Sequence, residues 1–283
     1  MNHHPECSRR ELIKALVGLG LVVVARSPTA LFAEGSFEFD GTAPLIHAPK
    51  EPQQWPSWRQ GLKEWRDKAR VALTYDDRRY QEPAQAWGTS SFSSCLLMLY
   101  DQTFFDQESG QYHVEAFLRT AMDDFGGFDN LILWHAYPRI GADDRNQFDF
   151  YRDMPGGLNG LREVVRQCHR LGVKALIVYK PWDIGTRREI TSDVEILATL
   201  VQAIEADGVY LDTMPEAPEH LRAALDGIGP GLVMEGEGVL PVEHIHDHHM
   251  AWAQYFEDSE APGILRNKWL ERRHMMHQTA RWR

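Results

Sequence analysis

The chain has 283 residues, 43% of them hydrophobic and 11% aromatic, which allows one large domain or two small ones and excludes intrinsic disorder. Its net charge of −11 divides into +2 over the first 33 residues and −13 over the rest. That balance argues against nucleic acid or an anionic membrane surface as partner and suits a neutral substrate. Three cysteines, Cys7, Cys95 and Cys168, make no disulfide framework, so buried free thiols are expected.

At the amino terminus, Ser8-Arg9-Arg10-Glu11-Leu12-Ile13-Lys14 precedes an eleven-residue apolar run, Ala15 to Ala25. The run is too short to span a bilayer and suits the apolar region of a signal peptide. Paired arginines followed by Leu12, Ile13 and Lys14 resemble the twin-arginine export signal. The resemblance implies a leader over residues 1–33, cleaved after Ala33, with the twin-arginine export machinery as a partner. It also implies a periplasmic or extracellular location and no stable membrane span.

Residues 34–92 form an amino-terminal extension in which Pro44, Pro49, Pro52 and Pro56 make the first half loop-like. Trp58 to Ala72 is expected to be amphipathic, with Trp58, Leu62, Trp65 and Ala69 on one helical face. Tryptophans at that spacing, with Trp55 and Trp87 nearby, are read as core rather than as sugar-stacking platforms.

Regular alternation begins in the segment 93–283. Cys95 to Tyr100 is an apolar run ending at Asp101, and Tyr112 to Phe125 follows with helical period. Leu131 to Trp134 ends at His135, then a polar loop with Arg139, Asp143 and Asp144 leads to a helical stretch, Gly156 to Leu171. Val173 to Tyr179 ends at Lys180 and is closed by Pro181-Trp182-Asp183, before a helix over Ser192 to Glu205. Val209 to Leu211 ends at Asp212, with a helix from Pro218 to Leu225, and Gly231 to Glu235 is the fifth run. A sixth unit is expected near Ile264.

Short apolar runs alternating with helices describe βαβ units and a parallel sheet. No glycine fingerprint for dinucleotide or phosphate follows any strand, which removes the Rossmann and P-loop readings. The fold class expected is therefore α/β, a (β/α)8 TIM-barrel-like architecture. Complete barrels take about 250 residues, whereas 190 lie between Ser94 and Arg283. An incomplete barrel of five to six βα units, from a truncated chain, is the expectation.

In a barrel the strand carboxyl ends share one mouth. Here they carry Asp101, Trp134, His135, Lys180, Trp182, Asp183, Asp212, Glu235 and Glu237. Carboxylates accept sugar hydroxyls, indoles cover the apolar face of a pyranose, and glycosidic cleavage needs two carboxyl groups flanking the bond. Asp212 and Glu235 are the expected catalytic pair. Asp101, Trp134, His135, Lys180, Trp182, Asp183 and Glu237 are the expected substrate-binding residues. Glu237 is also an alternative acid, since residues two apart on an extended segment share a side.

By order and placement, residues 94–240 resemble the (β/α)8 glycoside hydrolases of the α-galactosidase and α-amylase groups. The resemblance implies a nucleophile at Asp212, ending the fourth strand, and an acid/base at Glu235, ending the fifth. It departs at Tyr210, where the amylase group has Arg and the α-galactosidase group usually has Lys. The expected function is an exported glycoside hydrolase acting on a neutral glycoside or polysaccharide by a retaining mechanism, with a carbohydrate partner and no cofactor. Two alternatives stand beside it. One is a non-catalytic carbohydrate-binding relative. The other is a metal-dependent hydrolase using His244, His246 and His248 of the cluster Glu243-His244-Ile245-His246-Asp247-His248-His249.

Overall fold

The computed structural model of the chain describes residues 45–135, 143–180, 187–214, 216–238, 242–252 and 269–271. A short strand β1 (Leu45–His47) is followed by helices α1 (Trp55–Ala72) and α2 (Arg78–Gln81), then by a 3-10 turn over Pro83–Thr89. The extended apolar helix face expected around Trp58 is real, with Trp58 and Leu62 buried. Strand β2 (Ser94–Met98) leads into a hairpin of β3 (Phe105–Asp106) and β4 (Gln111–Tyr112).

The repeating part follows: α3 (Val114–Phe125), β5 (Asn130–Trp134), α4 (Gln147–Arg152), α5 (Gly157–Arg170), β6 (Lys174–Tyr179) and α6 (Asp193–Ile204). It ends with β7 (Gly208–Leu211), α7 (Leu221–Ile228), β8 (Val233–Gly236) and β9 (Met250–Ala251). Strand β10 (Trp269–Glu271) pairs antiparallel with β1 in a separate two-stranded sheet.

Six strands form one wholly parallel sheet in the order β2-β5-β6-β7-β8-β9. Spatial order follows chain order, and α3, α5, α6 and α7 all pack against the same face. Side chains of that face, among them Leu131, Leu133, Ile177, Val209 and Leu211, meet Leu118, Leu161, Val165, Leu200 and Leu225 of the helices. The crossovers that link β2, β5, β6, β7 and β8 therefore return on one side, which is barrel winding; a doubly wound sheet would carry helices on both faces. The result is a curled half-barrel, with six parallel strands among the described residues where a closed barrel has eight.

The opposite face carries a second apolar layer of Ile132, Trp134, Leu176, Val178, Tyr210, Val233 and Met250. Strands buried on both faces read as unbroken apolar runs, and that is how β5, β6 and β7 stand out in the sequence. Gly208 opens β7 because a Cβ there would meet the Val233 carbonyl oxygen at 2.1 Å.

The sixth parallel strand is Met250–Ala251, in a stretch where no strand was expected; the unit expected near Ile264 lies outside the described residues. Among the described residues no helix is long and apolar enough to cross a membrane.

Candidate active site

The parallel ladder fixes which strand-end side chains are neighbours. Val178 pairs with Tyr210, Tyr210 with Glu235, and Glu235 with Met250, all on the face away from the helices. The ladder then runs one residue past each strand. Asp212 N–H donates to the Tyr179 carbonyl (3.0 Å), Glu237 N–H to Leu211 (3.2 Å) and Trp252 N–H to Gly236 (2.9 Å). Side chains alternate along a strand, so Lys180, Asp212, Glu237 and Trp252 form an upper row on the same face as Glu235. Glu237 stands abreast of Asp212, and Glu235 lies one pleat deeper.

Asp212 is 7% exposed and accepts a hydrogen bond from the indole Nε1 of Trp134 (3.3 Å). Its carboxyl is within hydrogen-bond reach of Glu237. Burial first, then Glu237, pushes Asp212 up to about 6, against the Trp134 N–H and the charge of Lys180. Two carboxyls this close hold one proton more readily than none. Glu235 is 3% exposed, and burial pushes it up to about 7 against a hydrogen bond from Trp252. Its Oε2 has no hydrogen-bond partner among the described residues.

The backbone turns sharply after Asp212. Thr213 holds φ +55°, a left-handed conformation unfavourable for a β-branched residue. Its N–H donates to Glu237 Oε2 at 2.7 Å, so the strained turn and the second carboxylate support each other. Strain held this way is common where function requires a fixed geometry.

Lys180 is fully buried, and its main chain is gripped by one side chain: Gln147 Nε2 donates to the Lys180 carbonyl and Gln147 Oε1 accepts from the Lys180 N–H, both at 2.9 Å. One turn on in α4, the Tyr151 hydroxyl donates to the Leu133 carbonyl and accepts from the Val178 N–H, each at 2.8 Å. A side-chain oxygen is thus inserted between β5 and β6 where their direct ladder stops at Leu133–Ile177.

No family model matches the chain, and no curated protein matches it in sequence. Solved structures do resemble it. The α-N-acetylgalactosaminidase NagBb from Bifidobacterium bifidum aligns at 16% identity over 72% of this chain and 45% of its own, with a TM-score of 0.39. A cyclomaltodextrinase aligns at 12% identity over 59% and 42%, TM-score 0.38. The YdjI aldolase from Escherichia coli K12 aligns at 10% identity over 67% and 78%, TM-score 0.30. The chain spans under half the length of the glycosidase structures. Likeness this low, shared by glycosidases and an aldolase alike, distinguishes no chemistry.

Among the other expected binding residues, His135 turns to the helix side, its ring 4.1 Å from that of Tyr151. Burial and Lys180 hold it far below the ordinary histidine range, so it is a neutral imidazole. Asp101 is exposed and bound into a local turn, where its Oδ1 accepts from the amide (2.8 Å) and hydroxyl (2.5 Å) of Thr103. It stands three strands from β7. Trp182 and Asp183 lie outside the described residues.

The histidine cluster diverges. His244 lies 3.4 Å from Glu216 and His246 3.8 Å from Asp247, while His249 bonds Gln85 at 3.0 Å. Among the described residues no three His, Cys, Asp or Glu side chains converge to hold a metal ion. The Tyr80 hydroxyl holds the segment by sharing its one proton between the carbonyls of Ile245 and His248.

Trp252, Thr213, Gln147 and Tyr151 were not singled out by their sequence. Only Trp252 carried a signal, an indole within an unassigned apolar stretch.

Proposed function

We propose that the chain is an exported glycoside hydrolase that cleaves a carbohydrate substrate with two carboxyl groups. The observation that carries this reading is the set Asp212, Glu235 and Glu237 on one face of adjacent strand ends, with the indoles of Trp134 and Trp252 hydrogen-bonded to Asp212 and Glu235. At neutral pH, Asp212 at about 6 is mostly ionised and fit to attack or stabilise an anomeric carbon. Glu235 at about 7 still holds a proton on half the molecules, which suits protonation of the leaving oxygen. Glu237 and the Thr213 amide fix the orientation of Asp212.

Aryl glycosides test the roles separately. Asp212→Asn is expected to abolish turnover of every substrate with the fold intact by circular dichroism. Glu235→Gln is expected to abolish turnover of alkyl glycosides yet spare much of it for dinitrophenyl glycosides, whose leaving group needs no proton. Undiminished turnover in Asp212→Asn would remove the assignment. The anomer first released, read by proton NMR, tests retention. Export rests on the arginine pair, and a chain with Arg9 and Arg10 changed to Lys is expected to stay in the cytoplasm.

A further inference from the structure

Tyr210 shares its face of β7 with Asp212, yet cleavage by two carboxyl groups gives it no task. It is 1% exposed and stands opposite Glu235 in the ladder to β8 and opposite Val178 in the ladder to β6. Its ring lies 4.9 Å from that of Trp252, the donor to Glu235. A phenylalanine ring would pack there as well, so the hydroxyl is what needs a reason. That hydroxyl is sealed from solvent and makes no close hydrogen bond among the described residues. A buried donor left so is costly, and bonds of a resting active site are often long until substrate is bound.

The acceptor within its reach is the Glu237 carboxyl. Burial first, then the charges of Glu237, Asp212 and Glu235, push the phenol well above its ordinary value, so it keeps its proton and is a neutral donor among three acids. Glu237 already takes the Thr213 amide on Oε2 (2.7 Å) and reaches Asp212 on its other side. A second donor on the same carboxylate favours its ionised form and leaves a shared proton to the other member of the pair. Among the described residues, the other titratable or charged groups facing the pair or the phenol are Lys180 at the end of β6, Glu235 on β8 and Tyr151 on α4. Tyr151 gives its proton to the Leu133 carbonyl, and Lys180 acts on Asp212 itself.

We infer that Tyr210 is a positioning residue: its hydroxyl donates to Glu237, holds that carboxylate as the acceptor of the pair, and so leaves the shared proton with Asp212. Tyr210 thereby helps set the pH at which Asp212 becomes competent. The kinetic test of this role rests on the two-carboxyl reading of the site, whereas a second test needs no turnover.

Tyr210→Phe keeps the ring against Trp252 and removes only the hydroxyl. With one donor fewer, Glu237 takes more of the shared proton, so the acidic limb of kcat/KM is expected to move down by about 0.5 to 1 pH unit. The basic limb, set by Glu235, is expected to stay. In a Glu237→Gln chain, which has no proton to share there, adding Tyr210→Phe is expected to leave the acidic limb in place. A phenol that only fills space would move neither limb. An acidic limb unmoved by Tyr210→Phe, or moved equally in both backgrounds, overturns the inference.

Carbon-13 NMR of the full chain labelled at tyrosine Cζ is the second test. The Tyr210 line is expected to move as the Asp212–Glu237 pair titrates, around the Asp212 value of about 6, and to move much less in Glu237→Gln. A line indifferent to that titration, or one that moves as far in Glu237→Gln, overturns the inference, and this holds even where Tyr210→Phe does not fold. A line that moves as expected in a chain that cleaves no glycoside overturns the hydrolase reading and leaves the role of Tyr210 standing.

Discussion

Glu237 stands abreast of Asp212 across the β7–β8 ladder, with its Oε2 taking the Thr213 amide at 2.7 Å and its carboxyl in reach of Asp212. The candidate row is thereby Lys180, Asp212, Glu237 and Trp252, over a deeper row that holds Tyr210 and Glu235. Asp212 is tuned by opposing neighbours, since burial and Glu237 raise it while Trp134 and Lys180 lower it.

Exchanging Glu237 for Gln tests that balance. Glutamine keeps an acceptor for the Thr213 amide and removes the competing acid, so Asp212 should titrate below about 6 while burial still holds it above an ordinary aspartate. The acidic limb of the kcat/KM profile is expected to move to lower pH. A limb that stays in place would show that the two carboxyls do not share a proton.

Glu235 yields a stability prediction with a definite sign. Its folded value of about 7 exceeds the ordinary 4.5, so the folded state binds the proton more tightly than the unfolded chain. Below pH 4.5 both states are protonated and nothing is lost. Between 4.5 and 7 the unfolded chain ionises first and stability falls, by roughly 3 kcal/mol in all. Glu235→Gln is therefore expected to gain up to about 3 kcal/mol over the parent at pH 8 and almost nothing at pH 4, by urea unfolding at both. Gaining stability while losing activity is the mark of a site kept strained for use.

How much of this the sequence carries depends on range. Strands β5, β6 and β7 are legible because burial on both faces makes them unbroken apolar runs, and Asp212 is legible because it ends one. The half-barrel follows from the spacing of those runs. Register is different, because it is set by hydrogen bonds between segments far apart. Nothing local to Glu235 or Glu237 says which of them meets Asp212. Strand β9 has two residues and so no period to detect. The inserted hydroxyl of Tyr151 belongs to a six-residue helix whose side chains replace a ladder. His135 was expected at the mouth, and simple alternation after Trp134 already sends it to the helix side.

At the amino ends of the strands, Asp207 ties three elements together. It accepts from the Lys174 ammonium (2.8 Å) and the Ala175 amide (2.8 Å), and its Oδ2 lies 2.7 Å from His169 Nε2. Burial pushes its pKa up, yet these partners more than offset it, and the group ends below the ordinary aspartate value. A depressed acid stabilises above its unfolded pKa and loses that contribution as pH falls through its folded one. Asp207→Asn is expected to cost about 2 kcal/mol at pH 7, with the deficit shrinking below pH 4. Chemical denaturation across that range measures it.

The last prediction concerns Gln147, which reaches the buried main chain of Lys180 with a donor and an acceptor at once. An amide is the only side chain of that length offering both. Gln147→Glu keeps the shape and sets an ionised oxygen against the Lys180 carbonyl, so one good bond becomes a repulsion inside the core. The expected cost is about 2 to 3 kcal/mol, or a fall in Tm on the order of 4–12 °C for a domain of this size. Because Lys180 is in the row beside Asp212, the folded fraction of Gln147→Glu is also expected to show an acidic limb displaced from the parent. Asp207→Asn, at the other end of the sheet, should lose stability with its acidic limb in place. Measuring Tm and the pH profile of both variants separates support of the site from support of the fold, and a Gln147→Glu profile identical to the parent would assign Gln147 to the fold alone.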